Sequence, residues 1–247
     1  MDVDMKRIAI VTGASSGMGR EFVRQLDKCL KNVDEIWVIA RRKDRLTKLQ
    51  QELSNISVRV LCLDICKAED LSYLQKLLAE KKPKVRLLIN CAGVGYSGLF
   101  EDITREEACG MVSLNATALV AVTHIVLPYM ASPSNIIQLA SASAFLPQKE
   151  FAVYAASKSF VLSFSRALRR ELKGKRICVT IVCPGPVDTE FLDICNAGKK
   201  EKILKKYTKV SPEKVVKKAL LDAKNGKKLS IYGIPMKVVR IVSKILY

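Results

Sequence analysis

Short apolar runs alternate with longer stretches of helical spacing along most of this 247-residue chain. Residues 8–12, 35–40, 58–63, 86–90, 136–140 and 178–183 are short runs rich in Ile, Val and Leu. Between them, residues 17–30, 46–53, 68–80, 106–130 and 153–172 carry helical patterns. A strand apolar at every position must be covered on both faces. Alternation of such strands with helices predicts a parallel sheet between two helix layers, an α/β fold. Lys-rich segments at 199–206 and 214–228 lead to a last strand at 229–232 and a basic, apolar tail over about 234–247. No repeat or linker interrupts the pattern, so residues 1–247 read as one domain.

Composition removes several classes. The eight cysteines (Cys29, Cys62, Cys66, Cys91, Cys109, Cys178, Cys183 and Cys195) form no C-x-x-C pair, and His124 is the only histidine. No zinc site or disulfide framework follows from that spacing; reduced, buried thiols of a cytoplasmic protein are expected. The apolar run after Lys6 and Arg7 is too short for a signal peptide. Thr117, Thr123, His124 and Pro128 interrupt residues 116–130, so no membrane-spanning helix is expected. Lys plus Arg number 42 against 24 Asp plus Glu, a net charge of +18. That balance fits either a solvated lysine-rich surface or contact with an anion: headgroups, an acidic partner or a phosphorylated cofactor. An aromatic share of 6% is thin for base stacking, and no RNA-recognition motif is present, so nucleic acid is not the expected partner.

The first strand runs into Thr12-Gly13-Ala14-Ser15-Ser16-Gly17-Met18-Gly19. Glycines here permit a tight turn and close approach of backbone to a ligand, and the helix that follows points its N–H groups and positive end at a phosphate. The gap after Gly13 is wider than in G-x-G-x-x-G, but the position, after the first strand of an alternating pattern, is that of a dinucleotide cradle. The second strand ends Ile39-Ala40-Arg41-Arg42. An acid there would hold the ribose 2′-hydroxyl of NAD; two guanidinium groups suit the 2′-phosphate of NADP instead. In the opposite reading Arg41 and Arg42 are solvated and Asp44 supplies the acid. Asp64, after the third strand and next to Ile65, either faces the adenine or closes a turn.

Tyr154 and Lys158 are one helical turn apart and share a face. An ammonium beside a phenol favours the phenolate, and a tyrosine so tuned exchanges protons with an alcohol or carbonyl near neutral pH. Ser141 ends the strand 136–140, Asn90-Cys91-Ala92-Gly93 ends the strand 86–90, and Pro184-Gly185-Pro186-Val187-Asp188-Thr189 follows the strand 178–183. All fall at C-terminal strand ends, where open α/β sheets bind ligands.

Taken together these motifs resemble the short-chain dehydrogenase/reductase family, hydroxysteroid-dehydrogenase-like members in particular, over essentially the whole chain. T-G-x-x-x-G-x-G matches residues 12–19. N-x-A-G matches residues 90–93, with Cys91 where Asn is usual. Y-x-A-S-K includes Ala156 and Ser157, and P-G-x-x-x-T matches Pro184, Gly185 and Thr189. The resemblance implies a single-domain Rossmann fold, a doubly wound seven-stranded parallel sheet in the order 3-2-1-4-5-6-7, and a homodimer or homotetramer. It implies a catalytic tetrad of Asn115, Ser141, Tyr154 and Lys158. Tyr154 would pass the proton, Lys158 would lower its pKa and hold the nicotinamide ribose, Ser141 would bind the carbonyl oxygen, and Asn115 would bend its helix and hold a water. The cofactor, NADP(H) in preference to NAD(H), would lie on Gly13, Ser15, Ser16, Gly17, Met18, Gly19, Arg41, Arg42, Asp64, Ile65, Asn90, Ala92, Gly93, Tyr154, Lys158, Pro184, Gly185, Val187 and Thr189.

Substrate walls are expected at residues 94–100, 143–151 and 190–196. They contribute Ser143, Tyr96, Leu99, Phe145, Leu146, Phe151, Phe191 and Leu192. That mostly apolar set favours an apolar ketone or secondary alcohol, such as a steroid or bile acid. Residues 190–210 hold the position of a substrate lid. A 3-ketoacyl-(acyl-carrier-protein) reductase is the alternative; a Rossmann-scaffold binding protein, RNA-associated through its charge, is the alternative of another class. Residues 197–247 hold 15 Lys or Arg against Glu201, Glu213 and Asp222, a local net charge of +12. Lys237, Arg240 and Lys244 line one stripe of the tail, which suits either a neighbouring subunit or peripheral contact with an anionic membrane.

Overall fold

Consecutive strand residues point to opposite faces of a sheet. In Arg7–Thr12 (β1), Ala9 and Val11 enter one core while Ile8 and Ile10 enter the other. Glu35–Ala40 (β2) divides the same way, Ile36 and Val38 against Trp37 and Ile39. The computed structural model describes residues 5–29, 31–195 and 209–246. Five further strands are Ser57–Cys62 (β3), Lys84–Asn90 (β4), Met130–Leu139 (β5), Ile177–Val182 (β6) and Leu229–Ser230 (β7). All pair in parallel, in the order β3-β2-β1-β4-β5-β6-β7. This is the single-domain, doubly wound Rossmann architecture that the resemblance implies.

The helices are Gly17–Cys29 (α1), Lys43–Glu52 (α2), Ala68–Lys81 (α3), Arg105–Val112 (α4), Leu119–Val126 (α5), Ala152–Glu171 (α6), Glu190–Cys195 (α7), Pro212–Lys224 (α8) and Ile234–Leu246 (α9). One core holds Phe22, Val23 and Leu26 of α1, Leu46 and Leu49 of α2, and Val215, Val216 and Ala219 of α8. The other holds Leu74 and Leu78 of α3, Val122 and Val126 of α5, and Leu168 of α6. Thr104 caps α4: its Oγ1 accepts from the Glu107 N–H at 3.1 Å, and the Glu107 carboxylate accepts from the Thr104 N–H at 3.0 Å.

Four expectations change. The helix expected over 106–130 is interrupted by a π-helical segment, Ser113–Ala118, and ends in a 3₁₀ turn, Leu127–Tyr129. That whole stretch, Arg105–Tyr129, is long and apolar enough to cross a membrane by length and composition, contrary to the expectation, because Thr and His dilute its apolar character without breaking it. Here it packs on the sheet, with Asn115 and Thr123 buried in hydrogen bonds. The last strand shortens to two residues. The cysteines are all free, but Cys29, Cys62, Cys66 and Cys109 are exposed rather than buried, since they sit at element ends or outer helix faces. Most of the expected lid and the Lys-rich segment 199–206 lie outside the described residues.

Strand order reverses between β1 and β4, where the chain winds outward in both directions. A crevice opens outside the strand ends at such a point, and the functional residues gather there.

Candidate active site

The turn after β1 is built for close approach. Gly13 has φ +69°, a conformation that favours glycine, and a Cβ on Gly19 would lie 2.2 Å from the Gly13 carbonyl oxygen. Thr12 locks this turn to the next one: its Oγ1 accepts from the Cys91 and Ala92 N–H groups at 3.1 and 3.2 Å. A cleft of about 790 Å³ opens above them. Its walls include Gly13, Ser15, Ser16, Gly17, Met18, Gly19, Arg41, Arg42, Asp64, Ile65, Ala92, Gly93, Pro184, Gly185, Val187 and Thr189. At its other end stand Ser141, Ser143, Tyr154, Lys158 and Phe191.

Two expected residues lie behind the wall. Asn90 is buried, and its amide donates to Thr123 Oγ1 at 2.9 Å and Gln138 Oε1 at 3.1 Å. Strand register turns this side chain into the layer under α5, so its part is to hold the strand end, not to touch a ligand. Asn115 is fully buried in the π-helical segment. Its Oδ1 accepts from the Val94 N–H at 2.9 Å, and its Nδ2 donates to the Val94 carbonyl at 2.8 Å and to Ser157 Oγ at 3.0 Å. Ser157 Oγ donates in turn to the Tyr154 carbonyl at 2.7 Å. Asn115 thus ties the turn after β4 to the first turn of α6, where Tyr154 sits.

Tyr154 packs between Phe151, edge-on with ring centroids 5.7 Å apart, and Phe191 of α7, also at 5.7 Å. Lys158 Nζ lies 5.9 Å from the Tyr154 ring centroid and donates to the Leu139 carbonyl at 3.0 Å. The expected lowering of the phenol pKa is reversed in this state. Burial, which penalises the phenolate, drives the pKa above the usual range, against the pull of a hydrogen bond with Ser141. Burial likewise brings Lys158 down to about 8. With Phe191 over the ring, two groups expected to stabilise each other as ions are both pushed toward neutrality.

At the far end, Arg42 donates to Ser15 Oγ at 3.0 Å and Ser16 Oγ at 2.6 Å, and to the Glu190 carboxylate at 3.2 Å. Arg45 reaches the same carboxylate at 2.7 Å. Glu190 is held below the usual carboxylate range, first by its hydrogen bond from Arg45. A carboxylate on two guanidinium groups beside the cradle hydroxyls is a stand-in anion, so this corner fits a phosphate. Arg41 points elsewhere, toward Asp64 at 3.9 Å, and Asp64 Oδ1 closes a turn by accepting from the Cys66 N–H at 3.1 Å. Arg45 belongs to no motif and Glu190 falls only within the expected wall at 190–196, so their pairing is not legible in the sequence.

The expected substrate walls are only partly realised. Phe151, Phe191 and Leu192 line the cleft, whereas Tyr96, Leu99, Phe145 and Leu146 do not. Phe145 and Leu146 line a separate hollow beside α6, and Leu99 is exposed on the loop after β4. Met236 and Val239 of α9 supply apolar wall in their place. Val187 pairs with Val210, which ties the last residue of the expected lid segment to the turn after β6. Ser97 donates its hydroxyl to the Cys195 carbonyl at 2.5 Å, fastening the described end of α7 across the cleft.

The family model for short chain dehydrogenases matches residues 7–200. Sulfoacetaldehyde reductase 2 of Chromohalobacter salexigens is 33% identical over 202 residues, 78% of each chain. A short-chain dehydrogenase from Sphingobium yanoikuyae, solved with NADPH, superposes with a TM-score of 0.84 at 26% identity, covering 97% of this chain and 94% of that one. A short chain dehydrogenase/reductase from Burkholderia phymatum, solved with NAD, shares the fold at a TM-score of 0.83 and 19% identity, covering 100% and 96%.

Proposed function

The chain belongs to the short-chain dehydrogenase family, a nicotinamide-dependent oxidoreductase acting on CH–OH groups, and from that premise we propose that it prefers NADP(H) and acts on an apolar ketone or secondary alcohol of the steroid or bile-acid kind. The observation that carries the cofactor preference is the Arg42–Arg45 pair gripping the Glu190 carboxylate beside Ser15 and Ser16. A 2′-phosphate offers more charge and more acceptor oxygens than that carboxylate. Phe151 and Phe191, packed on Tyr154, and Leu192, Met236 and Val239, which line the same cleft, support the apolar substrate.

A nicotinamide bound along the cleft supplies the hydride. The chain's own residues handle the proton and the developing charge. Tyr154 holds the proton at its hydroxyl. Ser141, hydrogen-bonded to that hydroxyl, is placed to donate to the carbonyl oxygen as it gains charge. Lys158, with Asn115 and the Gly93 backbone beside it, provides the positive potential that eases proton loss from Tyr154. Phe191 excludes water from the phenol. We propose that the chain self-associates through α4 and α6, where Val112 and Phe160 are exposed; light scattering of Phe160→Glu tests it by a fall in mass.

The deciding experiment measures NADPH and NADH oxidation with ketosteroids, bile acids, aliphatic ketones, sulfoacetaldehyde and ketoacyl thioesters. Turnover of an apolar ketone with NADPH is expected, and Tyr154→Phe lowers it by roughly two to four orders of magnitude. Undiminished turnover in that variant overturns the proton role. Preference for sulfoacetaldehyde or a thioester overturns the substrate.

A further inference from the structure

Helix α9 wears its apolar residues on the outside. Ile234 is 75% exposed, Val238 50%, Ile241 61% and Val242 41%. Their spacing, i, i+4, i+7 and i+8, makes one continuous stripe. The opposite face is already in use: Met236 packs on Gly185, Met236 and Val239 line the cleft, and Ser243 is buried. A helix that only closed the fold would carry its stripe the other way round.

Cations gather beside this stripe. Lys237 and Arg240 occupy one flank of the helix, and Lys228 is within electrostatic reach of Arg240 and of Arg166, Arg169 and Arg170 of α6. Partial desolvation, then repulsion by Arg166, Arg170, Arg169 and Arg240, lowers the proton affinity of Lys228. Arg169 is satisfied internally, on the carbonyls of Val179 and Gly226. Lys228, Arg170 and Lys237 are exposed.

Two occupants could cover an apolar stripe rimmed with positive charge. A second copy, paired across a two-fold axis, would bring the same cations face to face, in a chain whose net charge is already +18. An anionic lipid surface takes up apolar side chains at headgroup depth and neutralises the rim. We propose that α9 is a docking helix for anionic membrane, with Ile234, Val238, Ile241 and Val242 among the headgroups and Lys237, Lys228 and Arg170 against lipid phosphates. The docking stands on this face alone. If the substrate is apolar, as read above, docking also holds the mouth of the cleft where such molecules partition, because the inner face of α9 is cleft wall.

The test is co-sedimentation of the full chain with vesicles of phosphatidylcholine alone or with about one-third phosphatidylglycerol. The wild type pellets at least about tenfold more strongly with the anionic vesicles, and about 0.5 M salt releases most of it. Val238→Asp with Ile241→Asp abolishes binding but keeps NADPH binding and turnover in solution, since both side chains point away from the cleft. Lys237→Glu weakens binding about fivefold or more. No binding to anionic vesicles, or equal binding to both kinds, overturns the proposal. Loss of a dimer in the Asp variant, seen by light scattering, overturns it in favour of a subunit interface. Each of these readouts holds whether or not a steroid is turned over.

Discussion

Arg42 and Lys158 stand at opposite ends of one cleft, and the fold treats their charges in opposite ways. Arg42 is 41% exposed and hydrogen-bonded on every side, to two serine hydroxyls and a carboxylate. Lys158 is 4% exposed and donates to one carbonyl, and among the described residues no carboxylate pairs with it. The first cation is held at little cost, in contact with water. The second is desolvated, and its proton affinity falls. A cation that must grip an anion is kept at the surface on exchangeable partners; one that must act on a buried proton is kept poised to change state.

The sharpest way to break this contrast is Lys158→Met. Turnover should fall by roughly two to four orders of magnitude, while the ligand-free chain gains about 1–2 kcal/mol of stability at pH 7, because a buried cation is gone. Native Lys158 titrates near 8 against an ordinary 10.5. Between those values the unfolded chain binds more protons than the native one, so wild-type stability rises with pH across that window. The advantage of the variant is therefore full below pH 8 and shrinks toward pH 10.5. Urea melts of both proteins from pH 7 to 10 measure it, and a destabilised variant at pH 7 would reverse our account of Lys158.

A smaller effect is expected at the other end. Arg42→Ala should reduce the ratio of kcat/KM for NADPH over NADH by about 10- to 100-fold, the worth of charged hydrogen bonds to a phosphate, and leave thermal stability within about 0.5 kcal/mol. An unchanged ratio would remove the 2′-phosphate from this corner. Smallest of all, Glu190→Gln should tighten 2′,5′-ADP about two- to fivefold, since exposed ion pairs are weak and the carboxylate only competes. Titration calorimetry at low and high salt checks it: the gain should fade as salt screens the arginines.

How far the sequence reveals this molecule differs along the same axis. Two-sided burial of β1, β2, β4 and β6 follows from runs dominated by Ile, Val and Leu, and the cradle follows from the spacing of Gly13, Gly17 and Gly19. Strand order is not contained in that alternation; it came through the resemblance. The site was legible where backbone decides, at strand ends, and illegible where side-chain direction decides. Asn90 sits at the expected strand end, yet strand parity turns it toward Thr123 and Gln138. The π-helical segment is hidden because one extra residue barely disturbs a helical pattern. Tyr154 and Lys158 do share a helix face, but the burial that raises one pKa and lowers the other comes from Phe151, Phe191 and Leu139, which no four-residue spacing encodes.

That extra residue between Ser113 and Ala118 works like a slipped thread on a screw. Each residue of an α-helix advances the side chains by about 100°, so the slip re-phases everything after it. Upstream, Met111 meets the loop after β4, its sulfur accepting from the Tyr96 N–H at 3.4 Å; downstream, Thr123 meets Asn90. The slip lies between the two contacts. Removing one residue there would let the backbone wind regularly at the expense of one set or the other, which makes the least tidy turn of this helix the one whose length has least freedom to drift.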